Sequence, residues 1–68
     1  MRDKARIKRI LKLIEKLWVT QQDMRLGQLL VNYVFEEDKL WYQEDSLTEN
    51  ILKRMVKINE AKEHVRSL

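Results

Sequence analysis

The fold is decided by residues 24–35, which read MRLGQLLVNYVF. At about 3.6 residues per helical turn, Arg25, Gln28 and Asn32 share one narrow polar face. The rest of the segment is apolar on two sides, and a helix of that kind must be covered on two sides. We therefore predict a central helix 2, covered by two neighbours, with the polar stripe left open. Its apolar faces consist of Leu26, Leu29, Leu30, Tyr33 and Val34 on one side and of Met24, Val31 and Phe35 on the other.

The composition indicates one small helical domain that needs support beyond its own core. The chain has 68 residues, one glycine, no proline and no cysteine, so disulfides and thiolate metal sites are excluded. A chain of this length buries only about 60% of its unfolded surface and usually needs an additional stabilising element, such as a disulfide, a metal ion or a partner chain. A second copy of the chain is the stabilising element that the composition still allows. We predict an all-α fold for the single domain 1–68, a small three-helix bundle with a long C-terminal helix, assembled as a homodimer.

The first segment predicts an amphipathic helix 1 over about residues 3–19. Asp3 is placed to cap its first turn, since a carboxylate can accept a free backbone N–H. Apolar residues recur at helical spacing and are expected to face the core. The reverse face is basic and is the candidate nucleic-acid contact, because Lys and Arg neutralise phosphates. The apolar set is Ile7, Ile10, Leu11, Ile14, Leu17 and Trp18, and the basic set is Lys8, Arg9, Lys12 and Lys16.

The ends of helix 2 follow from the residues around it. Asp23 is a candidate cap, and the acids at 36–38 oppose the macrodipole at the other end. Gly27 costs the helix about 1 kcal/mol relative to alanine, which indicates close approach of a neighbouring helix.

An aromatic segment, Leu40-Trp41-Tyr42, follows helix 2 without a turn-forming glycine or proline. We expect Leu40 and at least one ring to fill the end of the core. A ring left exposed would be a candidate partner-binding residue, because tryptophan and tyrosine are enriched at binding hot spots.

The last segment predicts a helix 3 over about residues 46–66. Ser46 and Glu49 have the spacing of a capping box, in which two side chains satisfy two free backbone N–H groups. Leu52 and Val56 lie off the apolar stripe that we expect to face the core. We predict that these two residues and Met55 form the dimer interface, together with the end of helix 3 that extends beyond the shorter helices. The expected core stripe is Leu47, Ile51, Met55, Ile58 and Val65.

Charge is segregated along the chain. Residues 1–19 carry seven basic and two acidic side chains, a net charge of +5, and residues 20–50 carry two basic and seven acidic ones, a net charge of −5. Residues 51–68 return to +3. A dedicated DNA-binding domain is more often basic throughout, so nucleic acid is the alternative partner here and protein the preferred one.

Two segments resemble a family of small bacterial and phage helical proteins, most of them uncharacterised. Residues 23–32, DMRLGQLLVN, match an RLGQL-x-x-N pattern, and residues 40–45, LWYQED, with Leu47 match an aromatic-ED-x-x-L pattern. The resemblance implies a compact helical fold, an origin in a phage or mobile element, and no established activity.

The polar stripe of helix 2 has two interpretations at this point. In one, Arg25 pairs with Glu44 or Asp45, and Gln28 and Asn32 hold loop backbone, since buried amides need partners. In the other, the stripe binds a partner protein together with the aromatic segment. The candidate partner-binding residues are Arg25, Gln28, Asn32, Trp41 and Tyr42.

These patterns favour a non-enzymatic protein-interaction module, a small regulator or inhibitor that occupies the surface of an unidentified partner protein. The alternative is a small nucleic-acid-binding regulator that uses the basic face of helix 1 and the Arg25 stripe. The acids do not match a calcium loop, and His64 lacks a neighbouring nucleophile, so we expect no enzyme, metal or cofactor. Because no apolar run approaches the roughly 20 residues of a membrane span, we expect a cytoplasmic protein without a membrane partner.

Overall fold

The main part of the fold consists of two long helices that lie side by side. A computed structural model describes the backbone of residues 3–66 and the side chains among them as far as residue 62. The predicted all-α fold with three helices and a long last helix is confirmed. Val65 and His64 lie outside the described side chains. The elements are α1 (Ala5–Thr20), α2 (Leu26–Tyr33), a single 3₁₀ turn (Glu37–Lys39) and α3 (Asp45–Arg66).

Helices α1 and α3 run parallel, as polar contacts along their length show. Arg6 meets Asp45, Arg9 meets Glu49, and Gln21, just after α1, meets Asn59. The partners are 39, 40 and 38 residues apart in sequence, so the alignment holds from one end of the pair to the other. The chain between the two helices must therefore return along their length, and α2 lies on this return path.

The core is small and is built mainly between α1 and α3. Leu17 of α1 packs with Leu52 and Val56 of α3, and the return path adds Leu29 and Val34. Our prediction that α2 is the central helix, covered on two sides, is therefore wrong, since Leu26 and Val31 of α2 remain exposed. The side chains that pack partly buried against this core are Ile10, Leu13, Ile14, Met24, Leu30, Tyr33, Phe35 and Met55.

Helix α3 presents a different face to the core from the one predicted. Leu47 is 50% exposed and Ile58 is also exposed, although both belong to the expected core stripe. The buried face instead consists of Leu52, Val56 and three polar residues. These polar side chains can be buried because each of them has a hydrogen-bond partner, although the sequence of this face does not look apolar. The polar members are Thr48, Glu49 and Asn59.

Helix α1 is also rotated about its axis relative to the orientation that the apolar pattern predicted. Of the expected core face, only Leu17 is fully buried, while Leu11 is 60% exposed and Ile7 and Trp18 are exposed too. Leu13, which the pattern did not assign to the core, packs against it. The polar contacts of Arg6 and Arg9 with α3 set this orientation, because both arginines must lie on the side that faces α3.

The predicted cap of α1 is present, whereas that of α2 is not. Asp3 Oδ1 accepts a hydrogen bond from the backbone N–H of Ala5 at 2.9 Å. Helix α2 starts after Arg25 instead of at Met24, so Asp23 is not its cap. Gln28 Oε1 accepts the backbone N–H of Arg25 at 3.1 Å and thereby satisfies one free donor of the first turn.

Two further predictions about helix ends and packing are wrong. Helix α3 begins at Asp45, and the carboxylate of Glu49 binds Arg9 instead of closing a capping box with Ser46. A Cβ built at Gly27 would meet no atom within 4 Å, so no neighbouring helix approaches α2 there.

Candidate functional site

The polar stripe of α2 lies on the surface. Arg25, Gln28 and Asn32 are all exposed, and Asn32 Nδ2 lies 3.8 Å from the sulfur of Met24. The interpretation that these residues are buried and receive the later loop is wrong, because all three are exposed; Asp45, one of the two acids considered for Arg25, lies 2.7 Å from Arg6 Nε. The stripe remains accessible to a partner, as the second interpretation requires.

Gln43, for which the sequence predicts no role, makes the loop contacts that the first interpretation gave to the stripe. Its Nε2 donates to the backbone carbonyl of Val34 at 3.2 Å and to Thr48 Oγ1 at 2.9 Å. Thr48 Oγ1 in turn donates to the carbonyl of Glu44 at 3.2 Å. These bonds fasten the loop after α2 to the first turn of α3. A lone glutamine in a polar loop gives no sequence signal for this.

The aromatic segment does not fill the core. Trp41 is 87% exposed and Tyr42 is 81% exposed, and Leu40 is exposed as well. The segment forms a turn instead of an extended strand: the backbone N–H groups of Tyr42 and Gln43 both donate to the carbonyl of Lys39 at 3.0 Å. The prediction of a ring in the core is wrong, and two adjacent aromatic rings face solvent. We call residues 40–42 the aromatic turn.

A second apolar surface lies between α1 and α2, and we call it the α1–α2 groove. It is open to solvent and has a volume of about 600 Å³. Trp18 Nε1 donates to the backbone carbonyl of Met24 at 2.7 Å, so the indole has its polar group satisfied and presents its apolar body to the groove. The apolar lining consists of Leu11, Ile14, Trp18, Val19, Leu26 and Leu30.

The predicted dimer interface on α3 is wrong for Leu52, Val56 and Met55, whereas most side chains at the end of α3, which the prediction also included, lie outside the described residues. Leu52 is fully buried and Val56 is buried within the single chain, while Met55 is partly buried against the same core. Because these side chains already stabilise the monomer, they are not available to a second copy.

The basic face of α1 is partly occupied by contacts within the chain. Arg9 forms a two-pronged ion pair with Glu49, Nε to Oε2 at 3.0 Å and Nη2 to Oε1 at 3.3 Å. Its Nη1 also lies 3.1 Å from Asp3 Oδ2. Lys8, Lys12 and Lys16 are exposed. Of the four candidate nucleic-acid residues, Arg9 is therefore structural, because it links α1 to α3.

The ion pairs shift the pKa values of the groups involved. Hydrogen bonds from Arg9 hold the pKa of the Glu49 carboxyl below its usual 4.5, against the opposing effect of burial. The backbone N–H of Ala5, followed by the side chain of Arg9, lowers the pKa of Asp3 from 3.8. The hydrogen bond to Glu49 is the main cause of a raised pKa for Arg9. All three shifts favour the charged forms that make these contacts.

We expect the protein to lose stability on acidification, with Glu49 as a main cause. A carboxyl whose pKa is lower in the folded than in the unfolded state stabilises the fold at pH values above its unfolded pKa, and this contribution is lost as the pH falls through the folded pKa. The free energy of unfolding should therefore decline as the pH falls below 4.5, the ordinary pKa of this carboxyl. Thermal melts followed by circular dichroism, from neutral pH to about pH 3, measure this decline.

The matched variants for this test are Glu49→Gln and Glu60→Gln. Glu49→Gln should lower the melting temperature at neutral pH and flatten its dependence on acid. Glu60 is an exposed acid on the same helix, so its variant should keep the wild-type profile. Equal profiles for wild type and Glu49→Gln would contradict the role of the Arg9–Glu49 pair.

Among the described residues, no group of three or more His, Cys, Asp or Glu side chains is placed to hold a metal ion. None of the helices described here has the length and apolar character to cross a bilayer.

Comparison with known proteins gives no relative from which a function could be transferred. No family model, no curated protein and no solved structure matches the chain. The exposed surfaces of the fold are therefore the basis for a functional hypothesis.

Proposed function

We propose that this protein is a non-enzymatic interaction module that binds the surface of a partner protein through its aromatic turn. The observation that carries the proposal is the exposure of Trp41 and Tyr42, at 87% and 81%. Burial of two adjacent aromatic rings against a partner protein is favourable. Tryptophan and tyrosine are among the residues that most often dominate binding energy. A small regulator or inhibitor that occupies a partner's surface needs one such anchor.

The way in which the aromatic turn is held supports a binding role. Its backbone is closed by the two hydrogen bonds to Lys39, and the adjacent Gln43 is fixed to Val34 and Thr48. A segment ordered before binding loses less conformational entropy when a partner binds. The rings are therefore presented on a support that other parts of the fold already stabilise.

The charges beside the aromatic turn favour a particular class of partner. Glu36, Glu37 and Asp38 precede it and are exposed, and Lys39 is engaged with Glu36 at 3.3 Å. This acidic surrounding repels phosphate groups and complements basic residues. The partner that fits is a protein with an apolar pocket for the rings and basic residues around that pocket.

The test compares the wild type with a Trp41→Ala/Tyr42→Ala double variant as tagged bait in a bacterial extract, followed by titration calorimetry with each purified candidate. Because a hot-spot residue contributes about 2 kcal/mol or more, we expect the double variant to weaken binding by roughly 30-fold or more. The matched control is Leu47→Ala/Ile58→Ala, which removes exposed apolar side chains from α3 instead. A partner bound equally by all three proteins would contradict the proposal.

The alternative function, a nucleic-acid-binding regulator, is supported by the exposure of Lys8, Lys12 and Lys16. Binding of this kind should weaken steeply with added salt and should be unaffected by the Trp41→Ala/Tyr42→Ala change. Salt-sensitive retention of nucleic acid, lost in a Lys8→Glu/Lys12→Glu variant, would replace the aromatic-turn proposal with this one.

A further inference from the structure

The α1–α2 groove is an apolar surface separate from the aromatic turn and from the function proposed for it. Ile7, Leu11 and Trp18 line one exposed flank of α1, and Leu26 adds to it from α2. The spacing of the α1 residues brings them onto one side of the helix. A soluble monomer rarely leaves a continuous apolar surface of this kind uncovered.

The charges along the groove indicate what covers it. Lys8 and Glu15 flank the exposed side of α1 and are seven residues apart, so they lie on the same side two turns from each other. If two α1 helices pair antiparallel about an axis between Leu11 and Ile14, each Lys8 lies close to Glu15 of the second copy. The surface is thus complementary to itself in both apolar character and charge, as a two-fold interface requires.

From these observations we propose that the α1–α2 groove is the interface of a homodimer, in which two α1 helices pack antiparallel. Leu11 and Ile14 lie at the two-fold axis, and Ile7 of one copy lies near Trp18 of the other. Two ion pairs between Lys8 and Glu15 of different copies fix the alignment.

The exposed apolar face of α3 fits a second copy less well. Arg54 lies among Leu47, Ile51 and Ile58 on that face, and a two-fold pairing of α3 would bring Arg54 close to the same residue of the other copy. Like charges in that position oppose association. The face therefore serves as the matched control surface in the experiment.

The first measurement is the solution mass by analytical ultracentrifugation over a range of concentrations. The wild type should be a dimer. Leu11→Glu should be a folded monomer, with a dissociation constant roughly 100-fold higher or more, because two unpaired carboxylates would enter the apolar interface. Ile58→Glu, an equivalent change on α3, should remain a dimer. Circular dichroism verifies that both variants are folded.

The second measurement tests the alignment through Lys8 and Glu15. Lys8→Glu and Glu15→Lys should each raise the dissociation constant by about tenfold, since each places two pairs of like charges together. The Lys8→Glu/Glu15→Lys double variant restores opposite charges across the interface and should return close to the wild-type constant. Neither residue belongs to the core, so folding is not at risk.

Three outcomes would overturn the proposal. The first is a wild type that stays monomeric at every concentration, and the second is a dimer dissociated by Ile58→Glu and not by Leu11→Glu. The third is a double variant that dimerises no better than its two single variants, which would exclude the antiparallel alignment. The Trp41→Ala/Tyr42→Ala variant changes a different surface and keeps this test independent of the proposed function.

Discussion

Val56→Glu is expected to unfold the chain, whereas Leu47→Glu on the same helix should leave it folded. Val56 is 7% exposed and packs in the core with Leu17, Leu29 and Leu52. An unpaired carboxylate buried there costs several kcal/mol or shifts its pKa strongly. Domains are stable by only about 5–15 kcal/mol, and small ones lie near the lower end. At Leu47, which is 50% exposed, the same carboxylate stays in water.

This pair of variants decides the orientation of α3. The apolar pattern of the sequence predicts the opposite result, with Leu47 in the core and Val56 replaceable without loss of the fold. Helical circular dichroism together with the dispersion of amide resonances distinguishes folded from unfolded chains. A folded Val56→Glu variant beside an unfolded Leu47→Glu variant would mean that α3 faces the core with its other side.

Leu17→Ala is expected to lower the free energy of unfolding by about 2–5 kcal/mol, the usual cost of removing a fully buried leucine side chain. Leu17 has no exposed surface and is the only fully buried side chain that α1 contributes to the core. Leu11→Ala is the matched control, because it is the same change on the same helix at a position that is 60% exposed. Its cost should be within about 0.5 kcal/mol.

Urea unfolding measures both values, with the midpoint and slope giving the free energy of unfolding. The protein is kept dilute so that self-association does not add to the apparent stability of either variant. If Leu11→Ala cost as much as Leu17→Ala under these conditions, α1 would be rotated relative to the arrangement described here.

The class of fold was predictable from the sequence because it depends on local properties. Leucine, lysine, glutamate and arginine favour helices at every position where they occur, and the chain lacks proline. The helix bounds were close, and the cap at Asp3 depends on residues next to each other in sequence. The presence of three helices and the length of the last one followed from the same information.

The faces of the helices were not predictable, because they depend on contacts between distant residues. Glu49 was assigned to a local cap, yet its carboxylate binds Arg9, 40 positions away in the sequence. Once that pair and the bond between Gln21 and Asn59 are formed, polar positions of α3 belong to the buried side. Apolar periodicity alone therefore chose Leu47 and Ile58, which the structure leaves exposed.

The candidate site was predicted in part. Trp41 and Tyr42 were identified as binding candidates by residue type, but their exposure could not be derived, because it follows from the turn closed by Lys39. The α1–α2 groove was missed because the sequence assigned its residues to the core.

The parallel arrangement of α1 and α3 has a consequence for how the chain selects one packing among several. Aliphatic side chains are largely interchangeable, so a displacement of α3 by one turn, about 5.4 Å, could still bury some of them. It would separate Arg6 from Asp45, Arg9 from Glu49 and Gln21 from Asn59 at the same time. Buried leucine and valine thus determine how strongly the chain folds, while three polar pairs far apart along α3 determine that it folds in a single alignment.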